Sequence, residues 1–186
     1  MTRFRLARLS LIALAATVAT VAHADLVTNG GFETGDFAGW TVDLAPAGSS
    51  LSVFADSTPF GTHYASFSAS AGAYDSISQL LATTAGQEYT VSFWVNNLGI
   101  ENDSLVIDWE GATAQSYTPL GTALESWELI TFNVLATQNG SLFRIRGFDS
   151  QSAIGIDAIS VVAVPAPGAL VAMALAGASR SRRRRA

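Results

Sequence analysis

Few residues of this 186-residue chain could do chemistry, and cysteine is not among them. That removes thiol nucleophiles, cysteine-type zinc sites and iron–sulfur clusters. His23 lies in an apolar N-terminal segment, which leaves His63 for any Ser-His-Asp arrangement. It sits in Phe60-Gly61-Thr62-His63-Tyr64, a turn leading into a strand, and no Gly-x-Ser-x-Gly elbow accompanies it. Asp108 with Glu110, or Glu125 with Glu128, could be imagined as a glycosidase pair, but among 15 acids such pairs arise by chance. The expectation is a protein that is not an enzyme. A better fit to residue type is sugar binding, in which an aromatic ring takes the C–H face of a pyranose and polar neighbours take the hydroxyls. The candidates are Trp94 with Ser92 and Asn96, together with Tyr74, Tyr117, Asp108 and Glu110. The competing reading is that a loop covers Trp94 and that Trp109 is core, since strand aromatics usually pack.

These side chains must be positioned by strands. From Asp25 to Ala163 short runs of apolar/polar alternation are separated by turn residues, the all-β pattern. Strands are predicted near Leu51–Ala55, Tyr64–Ala69, Ser76–Ala82, Glu88–Asn96, Ser104–Glu110, Trp127–Ala136, Ser141–Phe148 and Ile154–Val162. Shorter pieces are expected at Asp25–Thr28 and Trp40–Leu44. Asn29-Gly30-Gly31, Ala85-Gly86, Asn97-Leu98-Gly99 and Asn139-Gly140 supply turns. Eight to ten strands of this length, read off the sequence, fit a two-sheet antiparallel β-sandwich. Period-two geometry puts Tyr89, Val91, Phe93 and Val95 on one face and Thr90, Ser92, Trp94 and Asn96 on the other. Likewise Phe143 and Ile145 oppose Arg144 and Arg146.

Both ends read as addresses. Arg3, Arg5 and Arg8 precede an apolar run, Leu9–Val21, and Ala22-His23-Ala24 is a small-x-small cleavage site, so residues 1–24 are expected to be a signal peptide. An uncleaved anchor is the alternative, but the run gives only about 20 Å of helix against a hydrocarbon core of roughly 30 Å. At the other end, Val164-Pro165-Ala166-Pro167-Gly168 leads into a short apolar stretch, then Arg180, Arg182, Arg183, Arg184 and Arg185. That suits a sorting tail over 164–186, with a disordered basic terminus as the alternative. The apolar stretch, about 18 Å as helix, suits transient contact with the inner membrane more than a span. Eight of the ten arginines lie in these two ends, and the chain has no lysine. The segment 25–163 therefore carries two arginines against 15 acids, a formal −13. Such a domain repels nucleic acid and anionic membrane surfaces.

The segment Asn29-Gly30-Gly31-Phe32-Glu33-Thr34-Gly35, followed by Gly39-Trp40, resembles the opening of galactose-binding-like jelly rolls, which include many carbohydrate-binding modules. Ser78-Gln79-Leu80 and Gly86-Gln87-Glu88-Tyr89-Thr90-Val91-Ser92-Phe93-Trp94 resemble that family's central strands, and Ile156-Asp157-Ala158-Ile159-Ser160-Val161 its closing strand. The tail resembles the PEP-CTERM signal that exosortases recognise in Gram-negative bacteria, with Pro-Ala-Pro in place of the usual Pro-Glu-Pro. The resemblance implies an all-β jelly roll between a signal helix and a short C-terminal apolar helix. It also implies processing by signal peptidase and an exosortase-type enzyme, and placement at the cell surface or in extracellular polysaccharide. A specific carbohydrate-binding module and a plain structural coat are the alternatives to a general matrix component.

The resemblance also bears on Asp157. By strand parity this acid shares a face with Ile159 and Val161, and a buried carboxylate needs a partner. Family members often place a structural calcium where Glu33 would approach the closing strand. Glu33, Asp157 and Asn29 are then the expected ligands of a Ca²⁺ ion, helped by carbonyls near Gly31, because calcium takes six to eight oxygens. The alternative is that Glu33 and Asp157 accept backbone N–H groups near a turn.

Overall fold

The computed structural model describes residues 24–45, 48–58, 60–69, 73–97, 103–118 and 126–165. The expected signal helix, the apolar C-terminal helix and the tail from Ala166 onward, with its arginines, lie outside the described residues. Among the described residues there are ten strands and no helix: β1 (Thr41–Asp43), β2 (Ser52–Thr58), β3 (Gly61–Phe67), β4 (Asp75–Leu81), β5 (Glu88–Asn97), β6 (Asp103–Trp109), β7 (Ala112–Tyr117), β8 (Glu128–Leu135), β9 (Ser141–Asp149) and β10 (Ile154–Ala163). They form two five-stranded antiparallel sheets, ordered β1-β4-β9-β6-β7 and β2-β3-β10-β5-β8. Sequence-adjacent strands often fall in different sheets, as in a jelly roll.

Alternation explains why these sheets face each other. Tyr89, Val91, Phe93 and Val95 of β5 are buried against Phe143 and Ile145 of β9, Leu105, Ile107 and Trp109 of β6, and Ile154, Ile156, Ile159 and Val161 of β10. The side facing solvent keeps Thr90, Ser92, Trp94 and Asn96 half-buried, as the parity predicts. At Gly147 a Cβ would lie 3.0 Å from Phe67, so a glycine there lets the two sheets close over that ring.

Two departures from the expected strands have physical causes. The strand β7 goes unpredicted because Ala112–Tyr117 is weakly patterned, with half of its residues exposed and none buried. What makes it is the turn, where Glu110 and Gly111 both take positive φ, 53° and 84°, and fold β7 back onto β6. The predicted strand at Asp25–Thr28 is instead an irregular strip along the second half of β10. There Leu26 N–H donates to Val161 O at 3.0 Å, and the Asp25 carboxylate accepts from Val161 N–H at 3.0 Å. Further along, Ile159 N–H donates to Gly30 O at 2.9 Å. A Cβ on Gly30 would sit 2.0 Å from Ile159 O, so only glycine permits this approach.

Candidate functional site

The outer face of the β2-β3-β10-β5-β8 sheet carries a row of large side chains. Phe54 pairs with Tyr64, Asp157 with Trp94, and Trp94 with Leu129; Tyr64 and Asp157 each lie one step beyond the last β3–β10 pair, Ala65–Ile156, so these residues fall in line as one rung across the outer face of the sheet. The rings touch: Phe54 on Tyr64 at 5.9 Å and nearly parallel, Tyr64 against the edge of Trp127 at 5.6 Å, and Phe60 on Trp94 at 4.6 Å. Gly155 lies beneath two of them, where a Cβ would come within 3.2 Å of Tyr64 and 3.3 Å of Trp127. Phe54, Phe60 and Leu129 remain 50%, 44% and 50% exposed, unusual for residues of this size grouped together. Ser92 and Thr131, paired across β5 and β8, supply hydroxyls beside the row. Asn96, paired with Gly155, carries a side-chain oxygen that is buried with no partner among the described residues. Trp94 is therefore half-buried, with Phe60 on it and the exposed apolar surface continuing through Phe60 and Leu129.

Asp157 lies in the middle of this rung. Strand parity places it with Ile159 and Val161, and the structure corrects that placement. Between the pairs Asp157–Trp94 and Ser160–Ser92 the register shifts by one residue, a β-bulge in which Ala158 takes φ 49°. Asp157 therefore shares the face of Trp94, while Ile156 and Ile159 both point into the core. It is nonetheless fully buried. Its Oδ1 accepts from Ala158 N–H at 2.6 Å, and Oδ2 has no hydrogen-bond partner. Burial pushes its carboxyl above the usual range, and the nearby Glu33 charge adds to that, against hydrogen bonds from Thr58 and Ala158.

Glu33 does accept backbone N–H groups. It takes Thr62 N–H at 2.9 Å, His63 N–H at 3.0 Å and the Thr62 hydroxyl at 3.0 Å, which fixes the start of β3 and the Phe60 turn before it. These bonds, led by that from Thr62 N–H and opposed by desolvation, hold its carboxyl below the ordinary value. Gly61 makes room, since a Cβ there would lie 2.1 Å from Glu33 Oε1. Asn29 has a different task from the one expected. Its Nδ2 donates to Asp36 O and Ala38 O at 3.0 and 3.1 Å and its Oδ1 accepts from Thr34 N–H at 3.5 Å, so the side chain is spent holding its own loop. Among the described residues no group of three or more His, Cys, Asp or Glu is arranged to hold a metal ion. The orphaned Asp157 oxygen fits a hard cation, with Glu33 as the second carboxylate, and any remaining ligands would be carbonyls and water.

The other aromatic candidates lie elsewhere. Tyr74 belongs to the outer face of the opposite sheet, with its hydroxyl donating to Ser104 Oγ at 3.0 Å and its ring against Phe148 at 5.0 Å. Tyr117 pairs with Leu105 and packs on the core. The expected set Trp94, Asn96, Tyr74 and Tyr117 is thus divided between opposite sides of the sandwich and its interior, because the two sheets present separate outer faces. The sequence reading missed Phe54, Phe60, Tyr64, Trp127 and Leu129. Alternation in β3 and β8 was a usable signal for Tyr64 and Leu129, but the neighbourhood of β2, β3 and β5 is a matter of topology.

Of the acids considered as catalytic pairs, Glu125 lies outside the described residues, and Asp108 and Glu110 are committed to structure. Asp108, 2% exposed, takes Arg144 Nε at 2.8 Å, Arg146 Nε at 2.8 Å and Arg146 Nη2 at 3.0 Å, plus the Thr113 hydroxyl at 3.2 Å. Burial alone would raise its pKa; the arginine hydrogen bonds and charges outweigh that and hold it below the usual range. Glu110 accepts from Thr137 N–H and its hydroxyl and from Ser141 Oγ, bonds that likewise lower its pKa. Neither carboxyl is poised as a general acid, which would need a raised pKa. His63 contacts the Thr62 hydroxyl at 3.0 Å and the Glu33 carboxylate at 3.7 Å.

The fold has clear relatives among solved structures. The carbohydrate-binding module TmCBM61, in complex with β-1,4-galactotriose, superposes with TM-score 0.59 at 20% identity, over 76% of this chain and 99% of that one. The CBM22-1 xylan-binding domain of Paenibacillus barcinonensis Xyn10C gives TM-score 0.56 at 19% identity, over 80% and 99%. The enzymatically active domain of bacteriophage CBA120 tailspike protein 4 gives 0.58 at 12%, over 75% of this chain but 21% of that one. At these identities the likeness establishes the jelly-roll sandwich. No protein-family model matches the chain, and no curated protein matches its sequence.

Proposed function

We propose that this protein is an exported, non-catalytic carbohydrate-binding module, and that the outer face of the β2-β3-β10-β5-β8 sheet is where a neutral polysaccharide lies. The observation that carries this reading is the cross-strand row of Phe54, Tyr64, Trp127, Trp94 and Phe60, with Phe54 and Phe60 about half exposed. A row of rings across a rigid sheet offers successive apolar platforms for successive sugar units, and Ser92 and Thr131 stand where hydroxyls need partners. Two fold relatives, one bound to β-1,4-galactotriose and one described as xylan-binding, make β-linked galactan and xylan the first ligands to try. The export signal and the PEP-CTERM-like tail extend the proposal to delivery by an exosortase-type system to the cell surface or matrix. A Ca²⁺ ion held by Asp157 and Glu33 would neutralise the buried carboxylate and, through the Glu33 hold on the start of β3, steady the aromatic row; it would supply charge and no catalysis.

Affinity electrophoresis in gels cast with xylan or β-1,4-galactan tests the binding reading. The parent should be retarded, and Trp94→Ala and Phe60→Ala should each release it while their melting temperatures stay near the parent's. Free migration of the parent through both gels, and through the producer's own polysaccharide, would leave the plain coat as the better account. Tracking the full chain and a version ending at Ala163 in the native host tests the tail, for which equal surface delivery is the opposing result.

A further inference from the structure

The opposite face of the sandwich carries both arginines of the lysine-free segment 25–163, and they stand together. Arg144 and Arg146 are two apart on β9 and point outward, while Phe143, Ile145 and Gly147 face the core. Both converge on one carboxylate. Arg146 grips Asp108 in a fork, Nε to Oδ2 at 2.8 Å and Nη2 to Oδ1 at 3.0 Å, which occupies both oxygens. Arg144 then adds Nε at 2.8 Å and Nη2 at 2.7 Å to the same Oδ2. One guanidinium suffices to balance one buried acid. The second leaves the cluster with a unit of positive charge and holds two like charges close together, which a further anion relieves.

The surroundings are ready for a polar ligand. Cross-strand partners set the half-buried Ser78 beside Arg144 and the buried Ser76 beside Arg146, and the exposed Thr113 flanks Asp108 on the far side. Tyr74 lies under Arg146, 5.2 Å from guanidinium carbon to ring centroid, and fixes that side chain's plane. The two arginine side chains keep 38% and 26% of their surface exposed, so their outer N–H groups are reachable. A guanidinium with hydroxyl neighbours matches a carboxylate on a hydroxyl-bearing ring.

We propose that Arg144 and Arg146, anchored on Asp108, form a second binding site that takes the carboxylate of an acidic sugar, a uronic-acid unit of a polysaccharide. The inference takes its ligand class from the carbohydrate-binding reading but uses the other face, so either can fail alone. The acidity of the rest of the domain opposes long polyanions, yet at physiological salt charges beyond about 8 Å are screened. Short acidic oligomers are therefore the proper probe.

Calorimetric titration of the full domain with galacturonic-acid trimer, and with the same trimer after reduction of its carboxyls to primary alcohols, tests this. The acidic trimer should bind and the reduced one bind at least about tenfold more weakly, the loss of one charge-assisted contact. Raising salt should weaken the acidic trimer alone. Arg144→Gln, which leaves the Arg146 fork on Asp108 intact, should abolish the preference while retention on neutral polysaccharide stays at the parent level. Trp94→Ala should do the reverse. Equal affinity for the two trimers, no change in Arg144→Gln, or competition by acetate at the trimer's own concentration would each overturn the assignment. Should Arg144→Gln melt early, Arg144→Lys, which keeps the charge but loses the planar guanidinium, provides the second reading: partial retention of the preference is expected, and a preference equal to that of Gln overturns it.

Discussion

Replacing Asp108 with Asn isolates the electrostatic centre of the β4-β9-β6 face. The substitution keeps side-chain volume and removes the charge on which both arginines converge. The carboxylate accepts three hydrogen bonds from the arginines and one from Thr113. An amide offers one acceptor oxygen and turns an N–H toward a guanidinium. Removing one partner of a buried ion pair costs about 3–5 kcal/mol. Here Arg144 and Arg146 keep 38% and 26% exposure, so water recovers part of their charge and the expected loss falls to about 2–3 kcal/mol. For a domain near 140 residues that is a fall of roughly 6–12 °C in Tm. The pH dependence has a definite sign. Because the folded Asp108 pKa is lowered from 3.8, its contribution is complete above that value and is lost as pH falls through the folded one. The gap between parent and Asp108→Asn should be full at pH 7 and narrow below about pH 4. Removing one of 15 acids relieves general repulsion, which opposes the predicted loss and so cannot produce it. Urea unfolding at pH 7 and pH 3 is the assay. A gap below about 1 kcal/mol at pH 7, or one that persists unchanged in acid, would refute the reasoning.

Three further substitutions probe the other face. Gly155→Ala places a methyl 3.2–3.3 Å from Tyr64 and Trp127; those rings must shift, and retention on neutral polysaccharide should drop by more than the change in urea midpoint implies. Ala158→Gly removes the left-handed strain at φ 49° and should stabilise by about 0.5–1 kcal/mol, visible as a higher urea midpoint with unchanged slope. Asp157→Asn removes a carboxyl whose pKa is raised by burial. The parent's stability from that group is complete below its unfolded pKa, near 3.8, and is lost as pH rises through the folded value. In EDTA the variant should therefore exceed the parent at pH 7 and match it near pH 3. Millimolar calcium should raise the parent alone, by about 0.4–1.4 kcal/mol for a weak extracellular site; an equal calcium increment in both would remove Asp157 from the ligand set.

The acidic candidates show where sequence reasoning stops. Glu33 and Asp157 are 124 positions apart in the chain, and the resemblance pairs them; the structure brings the Glu33 carboxylate from the loop before β1 onto the start of β3 and lets its charge reach Asp157. Parity gives the wrong face for Asp157 because a single extra residue in β10 reverses all parity beyond it, and nothing in Ile156-Asp157-Ala158-Ile159 announces a bulge. Asn29, by contrast, is a ligand candidate by residue type, while its amide fastens its own loop, a role local hydrogen bonds decide.

By itself the sequence determined what depends on local order. Period-two alternation specified most of the strands, β7 excepted, and which residues of β5 and β9 are buried, because a pleated strand has only two faces. The absence of cysteine and the concentration of arginine in the two ends specified an acidic segment that must fold without disulfides. Tertiary structure decided what depends on which strands become neighbours. Phe54, Tyr64, Asp157, Trp94 and Leu129 form one rung because β2, β3, β10, β5 and β8 lie side by side. Tyr74 joins the arginines on the far face for the same reason. Alternation fixes a residue's side of its own strand, and only the pairing of distant strands fixes its company.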